Sequence, residues 1–210
     1  PLRIYGNGQA LTLAPGMTVS AITPAYPAGY GYIYMLGTSQ NITTNNVTIG
    51  MLFKLNSNVY LNDSLTVANG IGGLSMISTP ASITTNNHNL TVDTFDSQYG
   101  ASARSLNLGS SNFTVSGFYF TGSGAVINAG TSTLIHNGTI FNTNQANNAI
   151  WNNIIFSQDV SPGGGFNANN VTFTKATTQT VTIPSGSTVN VTGNFVHTPN
   201  GSQVLTLISA

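Results

Sequence analysis

The side chains best able to do chemistry in this sequence are four carboxylates, Asp63, Asp93, Asp96 and Asp159, and three imidazoles, His88, His136 and His197. Cleaving a glycan on a β-scaffold takes two carboxylates facing each other across a sugar, one protonated and one ionised. Only Asp93 and Asp96 are close in sequence. Three positions apart on a straight strand they point to opposite sides, so pairing them requires a bend or a neighbouring turn of chain. Asp96 is better suited to capping the loop Ser97-Gln98-Tyr99-Gly100. The histidines fall in separate segments, without a Gly-x-Ser-x-Gly elbow or a His-x-x-x-His helix, and each reads as a hydrogen-bonding spacer in an Asn/Thr-rich turn. Calcium sites need several clustered carboxylates, and four scattered Asp do not supply an acidic loop. Gly163-Gly164-Gly165 has no following Lys-Ser/Thr and reads as a loop, not a phosphate cradle. With no cysteine, thiol catalysis, zinc-thiolate sites and disulfides are all excluded. The expectation is a protein that is not an enzyme, with no catalytic residue, no metal site and no cofactor.

Aromatic residues suggest binding rather than catalysis. Tyr30, Tyr32 and Tyr34 alternate along one strand-like segment, which puts their rings on one side, and Tyr26 precedes them. Tyr offers a large apolar area and a hydroxyl at low entropic cost, so the stripe suits a subunit interface or a cap over the end of the fold, with sugar stacking the less favoured use. Trp151, Phe118, Phe120, Phe141, Phe156 and Phe173 follow apolar strand patterns and read as core.

The elements that would position these groups follow from composition. Among 210 residues there are 27 Asn, 29 Thr and 21 Ser, no Glu, and 4% charged residues with zero net charge. Asn, Thr and Ser favour turns, caps and strands, and without Glu the commonest helix-surface residue is missing, so the chain is expected to be all-β. Its 40% hydrophobic content suffices for a sizeable core. No basic patch exists for nucleic acid or an anionic membrane surface, and no apolar run of about 18 residues could insert into a bilayer. The start at Pro1, without a Met or a signal-like region, suggests a processed or excised chain. Nine Asn-x-Ser/Thr sequons, at Asn41, Asn46, Asn62, Asn89, Asn112, Asn137, Asn170, Asn190 and Asn200, leave glycosylation open, although so much Asn, Ser and Thr yields roughly six by chance under the motif rule.

Short segments alternating apolar residues with Thr, Ser or Asn recur along the chain, separated by Gly or Asn clusters. Ile42-Thr43-Thr44-Asn45-Asn46 returns as Ile83-Thr84-Thr85-Asn86-Asn87, a displacement of 41, each copy leading into a Val or Leu strand. That interval holds two short coils of a solenoid or one hairpin pair of a sandwich. A parallel β-solenoid is preferred, with a β-sandwich or jelly roll as the alternative, because stacked coils let Asn side chains ladder without charge. Asn doublets at 45/46, 86/87, 147/148, 152/153 and 169/170 fit such ladders and fit plain turn chemistry equally well.

Residues 39 to 175 resemble the Asn/Thr-rich β-solenoid repeats of phage tail-fibre-like and bacterial adhesin-like surface proteins. The resemblance is carried by Ile83-Thr84-Thr85-Asn86-Asn87-His88-Asn89-Leu90-Thr91-Val92, Arg104-Ser105-Leu106-Asn107-Leu108-Gly109-Ser110 and Asn128-Ala129-Gly130-Thr131-Ser132-Thr133. It implies a structural module outside the cell or on a virion. Residues 1–38, rich in Tyr, Pro and Gly, are assigned to a capping or assembly segment. Residues 39–210 are assigned to the repetitive module, with a carboxy-terminal cap from about 176. The expected function is a non-enzymatic virion component, such as a tail fibre, that self-assembles and presents loops for attachment. A secreted adhesin or glycosylated filament subunit is the alternative, and a tailspike-like enzyme the less favoured one. Expected partners are copies of itself, other virion or surface proteins and host glycans, with neither nucleic acid nor membrane insertion.

Overall fold

The computed structural model describes residues 3–20, 32–68, 73–76, 80–97, 103–121, 124–143, 149–198 and 204–209. They form a parallel β-solenoid of about seven turns, and no helix occurs among them. Every strand pairing among the described residues is parallel, as it must be when each turn of chain lies on the one before and runs the same way round.

Three faces wrap the core. The first contains β1 (Arg3–Asn7), the leading halves of β4 (Tyr32–Thr43) and β6 (Leu52–Leu61), β8 (Leu74–Met76), the trailing halves of β10 (Leu90–Asp96), β12 (Asn112–Phe120) and β14 (Thr133–Thr143), and β16 (Ser161–Pro162). The second holds β2 (Leu11–Thr12), the trailing halves of β4 and β6, β9 (Ala81–Thr84), β11 (Arg104–Asn107) and β13 (Ala125–Asn128). The third begins with β3 (Val19–Ser20), β5 (Thr48–Gly50) and β7 (Leu65–Val67), and continues through the leading halves of β10, β12 and β14. It ends with β15 (Ile150–Phe156), β17 (Phe166–Phe173) and β20 (Phe195–His197). The starts of β15 and β17 pair onward to β19 (Val189–Val191), while β18 (Gln179–Ile183) pairs with β21 (Leu205–Ser209). The compositional change near residue 38 falls inside β4, whose Ile33 and Met35 are already core residues.

The two-residue alternation of a strand sends every second side chain inward, and vertical stacking turns those positions into columns. On the first face the inward column runs Ile33, Phe53, Leu74, Phe95, Phe118, Phe141. Phe95, Phe118 and Phe141 stack at 5.6 and 5.5 Å between ring centroids, within the favourable offset range. Trp151, Phe118, Phe120, Phe141, Phe156 and Phe173 are all core residues.

Two turns of the solenoid measure 43 residues by strand register, from Asn41 through Tyr60 to Thr84 and from Thr48 through Thr66 to Thr91, so the TNN motif, displaced by 41, returns to the same corner two residues out of register. Thr44–Val47 and Thr85–His88 are the same corner turn, closed by Val47 N–H to Thr44 O and His88 N–H to Thr85 O. Both Asn of each doublet have positive φ, from 51° to 68°, which is why Asn stands there. Further along the same corner Gly109 and Gly130 take that conformation, and a Cβ on Gly130 would lie 2.4 Å from the Gly109 carbonyl. The intervening turn supplies Asp63, whose carboxylate accepts from Thr44 N–H at 2.8 Å and Asn45 N–H at 2.5 Å.

Candidate functional site

Most of the titratable groups singled out in the sequence have described partners within the scaffold. Asp63 caps a corner turn. Asp159 accepts from Thr180 N–H at 2.7 Å and pairs with Lys175 Nζ at 2.6 Å, and that hydrogen bond, followed by the one from Thr180, holds its carboxyl below the usual carboxylate range. His136 is a core residue in the inward column between Val115 and Phe156, edge-on to Phe141 and Phe156, and not the turn spacer the sequence suggested. Its Nε2 meets Ile140 O at 2.7 Å, so that nitrogen carries the proton, and burial pushes the imidazole below its ordinary value. His88 is half-buried in the second TNN turn and His197 is half-buried in β20.

Asp93 and Asp96 both point outward, because β10 bends between its third-face and first-face halves. The bend does not bring them onto one face. Asp93 ends the third-face half, and Asp96 stands on the first face in register with Ser75 and Tyr119. Arg104, 2% exposed, is flanked in register by Ala81 and Ala125, whose small side chains leave room for it to fold inward. Its guanidinium donates to the Ser97 carbonyl and hydroxyl, and desolvation lowers its pKa against the opposing pull of Asp96. Among the described residues, no group of three or more His, Cys, Asp and Glu gathers where a metal could be held.

Of the tyrosine stripe, Tyr30 lies outside the described residues. Tyr32 and Tyr34 are half-buried on the outer side of β4, edge to face at 5.2 Å. The Lys54 ammonium sits 4.9 Å from the Tyr32 ring and 5.6 Å from Tyr34. Cation–π attraction of this kind fixes both rings in one cluster.

The Asn doublets serve both uses that the sequence left open. Those at 45/46 and 86/87 make turns. Those at 152/153 and 169/170 ladder: Asn169 donates to Asn152 at 3.3 Å and Asn170 to Asn153 at 2.9 Å, and Asn194 then donates to Asn170. A second ladder on the second face joins Thr84, Asn107 and Asn128. The doublet at 147/148 lies outside the described residues.

The sequence reading missed the outward side of the third face. Its strands repeat one short formula: a polar residue out, an apolar one in, a β-branched one out. The first outward column is Ser64, Asn89, Asn112, then Thr133, Asn153, Asn170 and Asn194, tied at several steps by side-chain hydrogen bonds. The second is Thr48, Thr66, Thr91, Thr114, then Ile135, Ile155, Thr172 and Val196, in unbroken register. The sequons at Asn89, Asn112 and Asn170 are this formula, since Asn and Thr two apart share the outer side, whereas Asn46 ends the left-handed corner turn that leads into Thr48. That recurrence was present in the sequence as Asn-Val-Thr, Asn-Leu-Thr and Asn-Phe-Thr. No protein-family model, curated protein or solved structure matches this chain.

Proposed function

We propose that this chain is a non-enzymatic structural module of a virion, such as part of a tail fibre, or of a cell surface, which assembles with copies of itself. The observation that carries this reading is the use of Asp63, Asp159, His136 and Arg104 to build the scaffold: they cap, pair or fill, and although Asp159 borders a cavity of about 260 Å³ with Ser161 and Thr180, its carboxylate is engaged by Lys175 and the Thr180 N–H. The uncharged outer ranks of Asn, Ser and Thr hydrogen-bond water yet impose no net charge to keep copies apart. The Tyr32–Tyr34–Lys54 cluster, with Tyr30, is the proposed contact between subunits.

Sedimentation velocity and electron microscopy of the purified chain test this. The parent is expected to form elongated assemblies that grow with concentration. A variant with Tyr30, Tyr32 and Tyr34 all changed to Ser should stay monomeric with the same far-ultraviolet circular dichroism. A parent that remains monomeric throughout, or cleaves a glycan in a way lost in Asp93→Asn or Asp96→Asn, sinks the proposal.

A further inference from the structure

The core does not require the outward residues of the third face to be what they are. Any polar residue would serve a solvated strand, yet the second outward column is β-branched at all eight of its positions from Thr48 to Val196, and its first four members, Thr48, Thr66, Thr91 and Thr114, are all Thr. The column beside the last three of those holds Ser64, Asn89 and Asn112, and Asn46 ends the corner turn before Thr48. Backbone hydrogen bonding spaces successive ranks by about 4.8 Å along the axis, and two residues of strand separate the columns by about 6.6 Å. Thr has few rotamers, so its methyl and hydroxyl are held in place. Along the margin, Asn112 N–H donates to the Asn89 side chain at 3.0 Å and Asn170 to Asn153, ladders of the type that hold sheets flat. The result is a rigid two-dimensional grid of methyls, hydroxyls and amides.

Neither column of that grid contains a charge or an aromatic ring. Anionic polymers and lipid headgroups therefore find no counter-charge in these columns, and a sugar finds no ring in them to stack on; the outward rings Tyr32, Tyr34 and Tyr119 belong to the first face, Tyr60 to the second, and the exposed Phe195 to the last rank of the third, far from the Thr ranks. Asp93, two residues from Thr91, puts a single carboxylate at the edge of the grid, so a matching ligand engages the columns themselves without charge pairing, must both donate and accept hydrogen bonds, and must repeat in two dimensions at these spacings. The oxygen lattice of an ice surface has all three properties. We propose that the third face, centred on the four Thr ranks from Thr48 to Thr114, is an ice-binding surface. Hydroxyls and amides anchor lattice waters while the methyls between them are covered by the ordered layer. Because the array is fixed before contact, binding costs little side-chain entropy. This inference does not depend on the assembly proposed above.

The test uses the full chain made in a host without N-glycosylation, its mass checked at 21.8 kDa. The parent should hold a seed ice crystal at constant size below its melting point in a nanolitre osmometer, and should be enriched in slowly grown ice relative to a control protein. Thr91→Lys, and separately the exposed Thr48→Tyr, should each reduce the growth arrest at least fivefold with unchanged circular dichroism. Val126→Lys, on the outer side of the second face, should leave it intact. Exclusion of the parent from ice, equal loss in Val126→Lys, or retention on crystalline cellulose or chitin in place of ice overturns the proposal.

Discussion

Phe118, in the middle of the solenoid, has no exposed surface and stacks between Phe95 and Phe141. Phe195, in the last described turn, rests on Phe173 at 5.2 Å and is 47% exposed. The alternation that buries apolar side chains is the same in both regions, but around Phe195 it leads to a cavity of about 390 Å³ lined by Val181, Val189, Val191 and Leu207 among others, with Leu207 58% exposed. Each turn of a solenoid gets its burial from the turn above as well as from its own pattern, so stability accumulates between neighbours and falls away where the stacking thins. A side chain's cost of removal should then depend on its height in the stack more than on its type.

The sharpest way to break this comparison is to truncate the two rings. Phe118→Ala leaves a cavity enclosed by other rings and should cost about 3–5 kcal/mol. Phe195→Ala removes a ring that is already half in solvent and should cost about 1 kcal/mol or less. Guanidinium unfolding of both variants measures the difference. Equal costs would mean that the last turn is as well packed as the middle, contrary to the exposure of Phe195 and Leu207.

The carboxylates extend the comparison to polar groups. Asp63 holds two backbone N–H groups of the turn before it, and Asp63→Ala strips a half-buried corner of both, at about 2 kcal/mol. Asp159 has one backbone donor and the Lys175 pair, and its side chain is 47% exposed, so solvent screening leaves Asp159→Ala the smaller loss. The Asp159 contribution follows from its lowered pKa: it is complete above the unfolded value of 3.8 and disappears as pH falls through the folded one. Thermal melts of both variants at neutral pH rank the two, and a larger loss in Asp159→Ala would reverse the assignment.

These contrasts also show where the sequence was legible. The solenoid could be read because one signal, the TNN corner recurring after 41 residues, reports directly on backbone geometry: two successive left-handed residues call for Asn or Gly. The aromatic core was legible from alternation alone. His136 was not, because a histidine flanked by Ile135 and Asn137 reads as a turn residue, and only the register that puts it between Val115 and Phe156 shows that its seat is inward. Nor was the role of Asp63, which caps a turn 18 residues earlier, across one full coil. The third-face grid was visible in fragments, as sequons. Their meaning changes once the pairing aligns them, since loops of unequal length hide a spatial column from any fixed period.

The smallest expected effect concerns His136, where the middle of the stack should reveal itself through pH. Burial among Phe141 and Phe156 keeps the folded imidazole neutral and lowers its pKa, while in the unfolded chain the same group titrates near 6.5. As pH drops below about 6.5, the unfolded chain takes up a proton that the folded chain refuses, so stability is complete above that value and declines on acidification toward the folded pKa. His136→Phe fills the same seat with a ring that does not titrate, although it gives up the bond to Ile140 O. Unfolding midpoints measured from pH 8 to about pH 5, above the carboxylate range, should fall for the parent and fall less steeply for the variant. The slope difference isolates this one group, because His88 and His197 are present in both proteins. Parallel curves would place a proton on His136 inside the folded core, and the Nε2–H bond to Ile140 would then have to be reassigned to an imidazolium.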